Sequence, residues 1–174
     1  MTLTATNQAA NPATYTLGRG MELERDFAAP PDMLFQAWTE PEYLEWFFNP
    51  GFAAEPPSVD LRVGGQWRQL MIENPQKSYF TGGLYREIAR PSRLVFNWGA
   101  VGGWPELDPA DPDQSPRVTL TFRPLPGGAR MKLRVDFPDQ YTEERVDWWM
   151  NCGMVEGWNI TIGRLEAALG RLSK

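Results

Sequence analysis

Few residues in this chain have chemistry to offer: Glu87, Tyr85, Gln69 and the single Cys152. Glu87 comes nearest to a general acid, but no second carboxylate stands at a spacing that would pair with it. The chain has no histidine. That removes Ser–His–Asp and Cys–His catalysis and the commonest metal ligand. An enzyme built on this sequence would have to use carboxylates, tyrosine, lysine or a bound cofactor. One cysteine allows neither an intrachain disulfide nor a cysteine metal cluster, and Cys152 reads as a small packed side chain. No catalytic set, metal site or cofactor motif emerges.

Apolar binding is the chemistry the composition favours. Eight tryptophans in 174 residues imply a broad, rigid aromatic interior, and sometimes a pocket. Trp67, Gln69 and Met71 alternate onto one face of a strand, so the amide of Gln69 sits in an otherwise apolar row. A buried amide needs partners. These are either neighbouring backbone or a ligand that the amide orients. Tyr85 offers its hydroxyl to the same space. The residues expected to line a ligand cavity are Trp38, Trp67, Gln69, Met71, Tyr85, Phe96, Trp98, Met154, Trp158 and Ile162; simple core packing is the competing reading. A dry void of ~400 Å³ would cost roughly 10 kcal/mol, about the whole stability of a domain. A real pocket must therefore be occupied, wet or open.

The elements that would position these residues follow from periodicity. "MELERDF" (21–27) alternates as a first strand. "APPDMLFQAWTEPEYLEWFFNPG" reads as two short helices, with Pro30 and Pro31 at the first start and Pro41 restarting the chain. "VDLRVGGQWRQLMIE" is expected to be strand, Gly64–Gly65 turn, strand. "YFTGGLYREI" is the next strand, with Gly82 and Gly83 marking a bulge or bend and with Tyr85 and Glu87 on one face. "LVFNW" follows, with Leu94, Phe96 and Trp98 facing one way and Asn97 the other. The acidic stretch 99–116 is either a solvated excursion or a flap in which Trp104 covers a cavity mouth. "RVTLTFRPLPGGARMKLRVDF" is a hairpin turned by Gly127–Gly128.

The chain closes in a long helix from about Tyr141 to Leu172. Met154, Trp158, Ile162, Leu165, Leu169 and Leu172 form one apolar stripe. Buried fully, they contribute at most about 9–18 kcal/mol, so a large apolar surface must lie opposite. Val146, Trp149 and Met150 occupy a face rotated by roughly 100° from that stripe, with Asp147 in phase with it. An unbroken helix would aim Asp147 at the core, so a break is expected near Asn151–Gly153. Residues 1–20 read as a mobile tail and 21–174 as one domain. The class is α+β: one curved antiparallel sheet gripping the long C-terminal helix.

Across about Met21 to Leu172, the segments "LFQAWTEPEYLEWFFNP", "VDLRVGGQWRQLM", "GLYREIARPSRLVFNW", "VTLTFRPLPGGARMKLRV" and "EGWNITIGRLEAAL" resemble the family named after the activator of Hsp90 ATPase. That family sits within the START/Bet v 1-like superfamily. The resemblance implies a helix-grip fold, with two short helices closing the gap between sheet and long helix. It also implies a hydrophobic cavity for a small apolar or aromatic ligand. Alternatives are a co-chaperone or stress-response interaction module, and a cofactor-free cyclase or hydrolase. Relatives often read threonine–histidine–serine–glycine where Arg134, Val135, Asp136 and Phe137 stand here. They frequently place histidine where Val155 and Glu156 precede Gly157–Trp158. A net charge of −5 with no basic patch argues against nucleic acid. No apolar run reaches the ~18 residues of a membrane span, and a cytoplasmic location is expected. The oligomeric state stays open, with a homodimer among the alternatives.

Overall fold

The computed structural model describes residues 14–47, 56–99, 107–108 and 110–172. Seven antiparallel strands form one curved sheet. They are β1 (Gly20–Phe27), β2 (Ser58–Val59), β3 (Gln66–Asn74), β4 (Lys77–Ala89), β5 (Arg93–Gly99), β6 (Arg117–Leu125) and β7 (Gly128–Asp136), in the spatial order β1-β7-β6-β5-β4-β3-β2. Helix α1 (Pro31–Thr39) and a 3-10 segment (Pro41–Phe47) follow β1, and helices α2 (Glu143–Asn151) and α3 (Met154–Leu172) close the chain. This is the helix-grip architecture expected from the sequence.

Alternation in the strands becomes one buried face. Leu94, Phe96, Val118, Leu120, Phe122, Met131, Leu133 and Val135 are almost wholly enclosed. The α3 stripe meets them, with Met154, Trp158, Ile162, Leu165 and Leu169 all buried. Phe35 of α1 meets Phe122 of β6 edge to face at 6.2 Å. The core therefore lies between the sheet and the helices, where both apolar faces leave water together.

The final helix breaks where phase requires it. α2 ends at Asn151, α3 begins at Met154, and Gly153 takes φ +96°. Thr142 caps α2 by accepting from the Arg145 amide at 3.3 Å. The break lets Trp149 turn inward while Asp147 stays exposed. An L-residue rarely adopts that φ, so glycine is the residue that permits the joint.

Three expectations change. The turn between β2 and β3 takes up Asp60–Gly65, leaving β2 only two residues long. The β4 bulge falls at Arg86, between Tyr85 and Glu87, and not at the glycine pair. It rotates Tyr85 inward and Glu87 outward, so the two do not share a face. Gly82 and Gly83 instead allow close approach: a Cβ on Gly83 would stand 2.4 Å from Trp67 Nε1. The third concerns the segment 14–19, expected in a mobile tail, which is docked. The Tyr15 hydroxyl donates to Ser115 O at 3.1 Å and accepts from Asn97 Nδ2 at 3.1 Å. Arg19 donates to Pro138 O at 2.7 Å and to Tyr141 O. Asn97, buried on the sheet face opposite the core, donates to the Tyr15 hydroxyl and to Ser115 O. The end of the acidic stretch is anchored as well, since Asp113 pairs with both Arg86 and Arg117 at 3.3 Å. Trp104 lies outside the described residues.

The two glycines at the start of α3 should respond oppositely to substitution. Gly153→Ala is expected to lose about 1–2 kcal/mol, because alanine is strained at positive φ. Gly157 is helical, and a Cβ there meets nothing within 4 Å, so Gly157→Ala should gain about 0.5–1 kcal/mol. Urea denaturation of the two variants checks both signs.

Candidate functional site

Beneath the break in the helix, packing is incomplete. A cleft of about 640 Å³ lies between β3–β4 and the α2–α3 joint. The sheet side supplies Met71, Lys77, Ser78, Tyr79, Thr81 and Trp98. The 3-10 segment supplies Phe47, while Trp148, Cys152, Gly153, Met154, Gly157, Trp158 and Thr161 come from the helices. Lys77, Ser78 and Trp148 are exposed and mark the mouth; Thr81, Trp98 and Trp158 are buried and mark the deep end.

The deep end is held rigidly. Trp98 Nε1 donates to Thr81 Oγ1 at 3.0 Å, which fixes the indole that forms the wall. Trp158 packs 5.1 Å from Trp98 and 5.9 Å from Phe47. The Cys152 thiol donates to Trp149 O at 3.2 Å. Gly153, Gly157 and Thr161 recur every four residues and so keep one strip of helix surface low.

Of the ten residues expected to line a cavity, Met71, Trp98, Met154 and Trp158 border this cleft. The other six are packed elsewhere in the core. Trp38 meets Trp46 edge to face at 4.9 Å, and Trp67 meets Phe47 at 5.4 Å and Phe96 at 5.5 Å. Ile162 is 1% exposed. Gln69 donates to Leu44 O at 3.4 Å, so its amide finds backbone. Its Oε1 has no partner among the described residues, nor does the Tyr85 hydroxyl. Burial, then the charge of Asp60, raises the Tyr85 phenol above its ordinary value. Glu87 lies outside the cleft in an exposed pair with Arg93 at 3.0 Å.

Sequence reasoning missed Phe47, Lys77, Ser78, Tyr79, Thr81, Trp148, Cys152, Gly153, Gly157 and Thr161 as wall residues. The four-residue spacing of Gly153, Gly157 and Thr161 was the available signal. Chemically the cleft offers aromatic and thioether surface with a few hydroxyls. No cluster of three acidic, cysteine or histidine side chains able to hold a metal occurs among the described residues.

The fold and cleft can be set against known proteins. Residues 28–170 match the family described as "Activator of Hsp90 ATPase homolog 1-like protein". The chain belongs to this family. Solved structures resemble it along most of its length. A protein from Mycobacterium smegmatis is 20% identical, with 90% of this chain and 94% of that one covered, at a TM-score of 0.71. One from Nitrosomonas europaea is 23% identical, with 90% and 97% covered, at 0.70. One from Arthrobacter aurescens is 21% identical, with 92% and 93% covered, at 0.71. At such identities these neighbours establish the fold alone. Among curated proteins, none matches. In this family member, no helix among the described residues is long and apolar enough to cross a membrane.

Two buried hydroxyls should behave differently. Thr81→Val orphans the Trp98 N–H and is expected to lose about 1–3 kcal/mol. Tyr85→Phe removes a hydroxyl without a described partner, so stability at pH 7 should hold or rise. Above pH ~10 an unfolded tyrosine releases its proton while buried Tyr85 keeps it. The unfolded state then binds fewer protons, so stability falls as pH rises past that point. Tyr85→Phe should flatten that fall, as denaturant titrations between neutral and alkaline pH would show.

Proposed function

We propose that this protein binds a small apolar or aromatic molecule in the cleft beneath the α2–α3 joint. One observation carries the reading: the interlocking rings of the interior stop at an open-mouthed cleft whose walls include Met71, Trp98, Met154 and Trp158. The cleft opens to solvent, so it holds water or a ligand, and its largely apolar walls favour an apolar occupant over water, which needs two to four polar partners. The volume falls in the ~300–1,000 Å³ range of small-molecule sites. Membership of a family whose fold generally encloses hydrophobic ligands supports the same reading. The role is carriage or sensing, and no catalytic step is assigned.

Gly157→Leu provides the test. The side chain would enter open space on the cleft wall. Neutral N-phenyl-1-naphthylamine should brighten on binding the wild-type protein, and Gly157→Leu should weaken that binding about tenfold or more while the thermal transition is retained. Equal binding by the folded variant, or none by the wild type, contradicts the proposal.

A further inference from the structure

The hydrogen bonding at the deep end of the cleft narrows the class of occupant. We propose that the natural ligand carries a carbonyl oxygen, of a ketone or ester, that accepts from the Trp158 indole N–H; this rests on the cleft being a ligand site. Trp98 and Trp158 are the buried indoles of the described cleft wall. Trp98 Nε1 already donates to Thr81 Oγ1 at 3.0 Å. Trp158 is 4% exposed, and its Nε1 has no partner among the described residues. Trp38, stacked on Trp158 at 6.2 Å, has an Nε1 without a described partner as well.

A buried donor without an acceptor is unfavourable, and native interiors hold few of them. The Trp158 N–H is closed to solvent, so water in the cleft does not satisfy it. Phe47 borders the cleft and packs edge to face on both indoles, 5.9 Å from Trp158 and 6.0 Å from Trp38. It ends a 3-10 run of seven residues, Pro41–Phe47, where runs beyond three or four are uncommon because the bonds are poorly aligned. Arg164 Nη1 ties that end to α3 by donating to Phe47 O at 3.3 Å. A ligand head that displaces the Phe47 ring reaches the Trp158 N–H. Both groups left unsatisfied beside Phe47 are donors, so the head must accept. A hydroxyl would bring a donor of its own, and a carboxylate a charge to desolvate. A ketone or ester oxygen brings lone pairs alone. The Gln69 Oε1 and the Tyr85 hydroxyl, also without described partners, belong to residues off the cleft wall.

Two naphthalenes of nearly one shape test the acceptor: 2-acetonaphthone and 2-isopropylnaphthalene, in which a methyl group replaces the oxygen. Each is titrated against full-length protein loaded with N-phenyl-1-naphthylamine, and the readout is the ratio of ketone to hydrocarbon affinity. Trp158→Phe should lower that ratio about twofold to tenfold, the range of one neutral hydrogen bond. Packing lost with the indole affects both ligands and drops out of the ratio. A second readout uses wild-type protein alone. In nitrogen–proton correlation spectra the Trp158 indole proton should move further downfield with the ketone than with the hydrocarbon, whereas the Trp98 proton, already bonded, should respond alike to both. If neither ligand displaces the dye, if folded Trp158→Phe leaves the ratio unchanged, or if the Trp158 proton responds alike to both ligands, the acceptor assignment is wrong while apolar binding stands. If the dye binds Gly157→Leu and wild type alike, both readings fall.

Discussion

Trp158 is the side chain on which the interior turns. Its indole lies 6.2 Å from Trp38 in a stacked arrangement, 5.9 Å from Phe47 edge to face, and 5.1 Å from Trp98. It thereby joins helix α1, the 3-10 segment and strand β5 to the long helix. On one side the rings close into solid core; on the other the cleft begins. Rings prefer edge-to-face or offset contact, and a set of them packs rigidly but leaves gaps where the set ends. The cleft sits where the aromatic network stops and the helix surface drops to Gly153 and Gly157.

The same region explains why the final helix is in two parts. Turning at Gly153 lets Trp149 reach 5.7 Å from Trp98 and 6.0 Å from Phe137. A continuous helix would have buried Asp147 and displaced Trp149. The joint therefore satisfies two faces that a single rod cannot present together. It also places Trp148, half exposed, at the cleft mouth.

Much of the fold was legible because periodicity reports which face is buried. The alternation of Val118, Leu120 and Phe122 and of Met131, Leu133 and Val135 gave a hairpin with one inner face. The phase slip between Val146–Met150 and the Met154–Leu169 stripe gave the break. The site was only partly legible. Alternation shows that Trp67, Phe96 and Tyr85 point inward, but not which part of the interior the helices cover. The 3-10 segment lies over Trp67 and Gln69, while Met71, two residues on, reaches the cleft. The Arg86 bulge reversed the faces after Tyr85 without a glycine to announce it. The Tyr15–Asn97 contact joins residues 82 positions apart, and no local pattern encodes such a pairing.

The indole N–H groups offer the most direct test, because the tryptophans divide between core and cleft. Trp46 donates to Ala37 O at 2.8 Å within the core, and Trp67 is packed against Phe47 and Phe96. Trp98, Trp148 and Trp158 border the cleft. In nitrogen–proton correlation spectra, titration with N-phenyl-1-naphthylamine should shift the last three indole signals and leave Trp46 and Trp67 in place. Shifts at Trp46 and Trp67, with Trp98, Trp148 and Trp158 unmoved, would contradict a ligand site beneath the helix break.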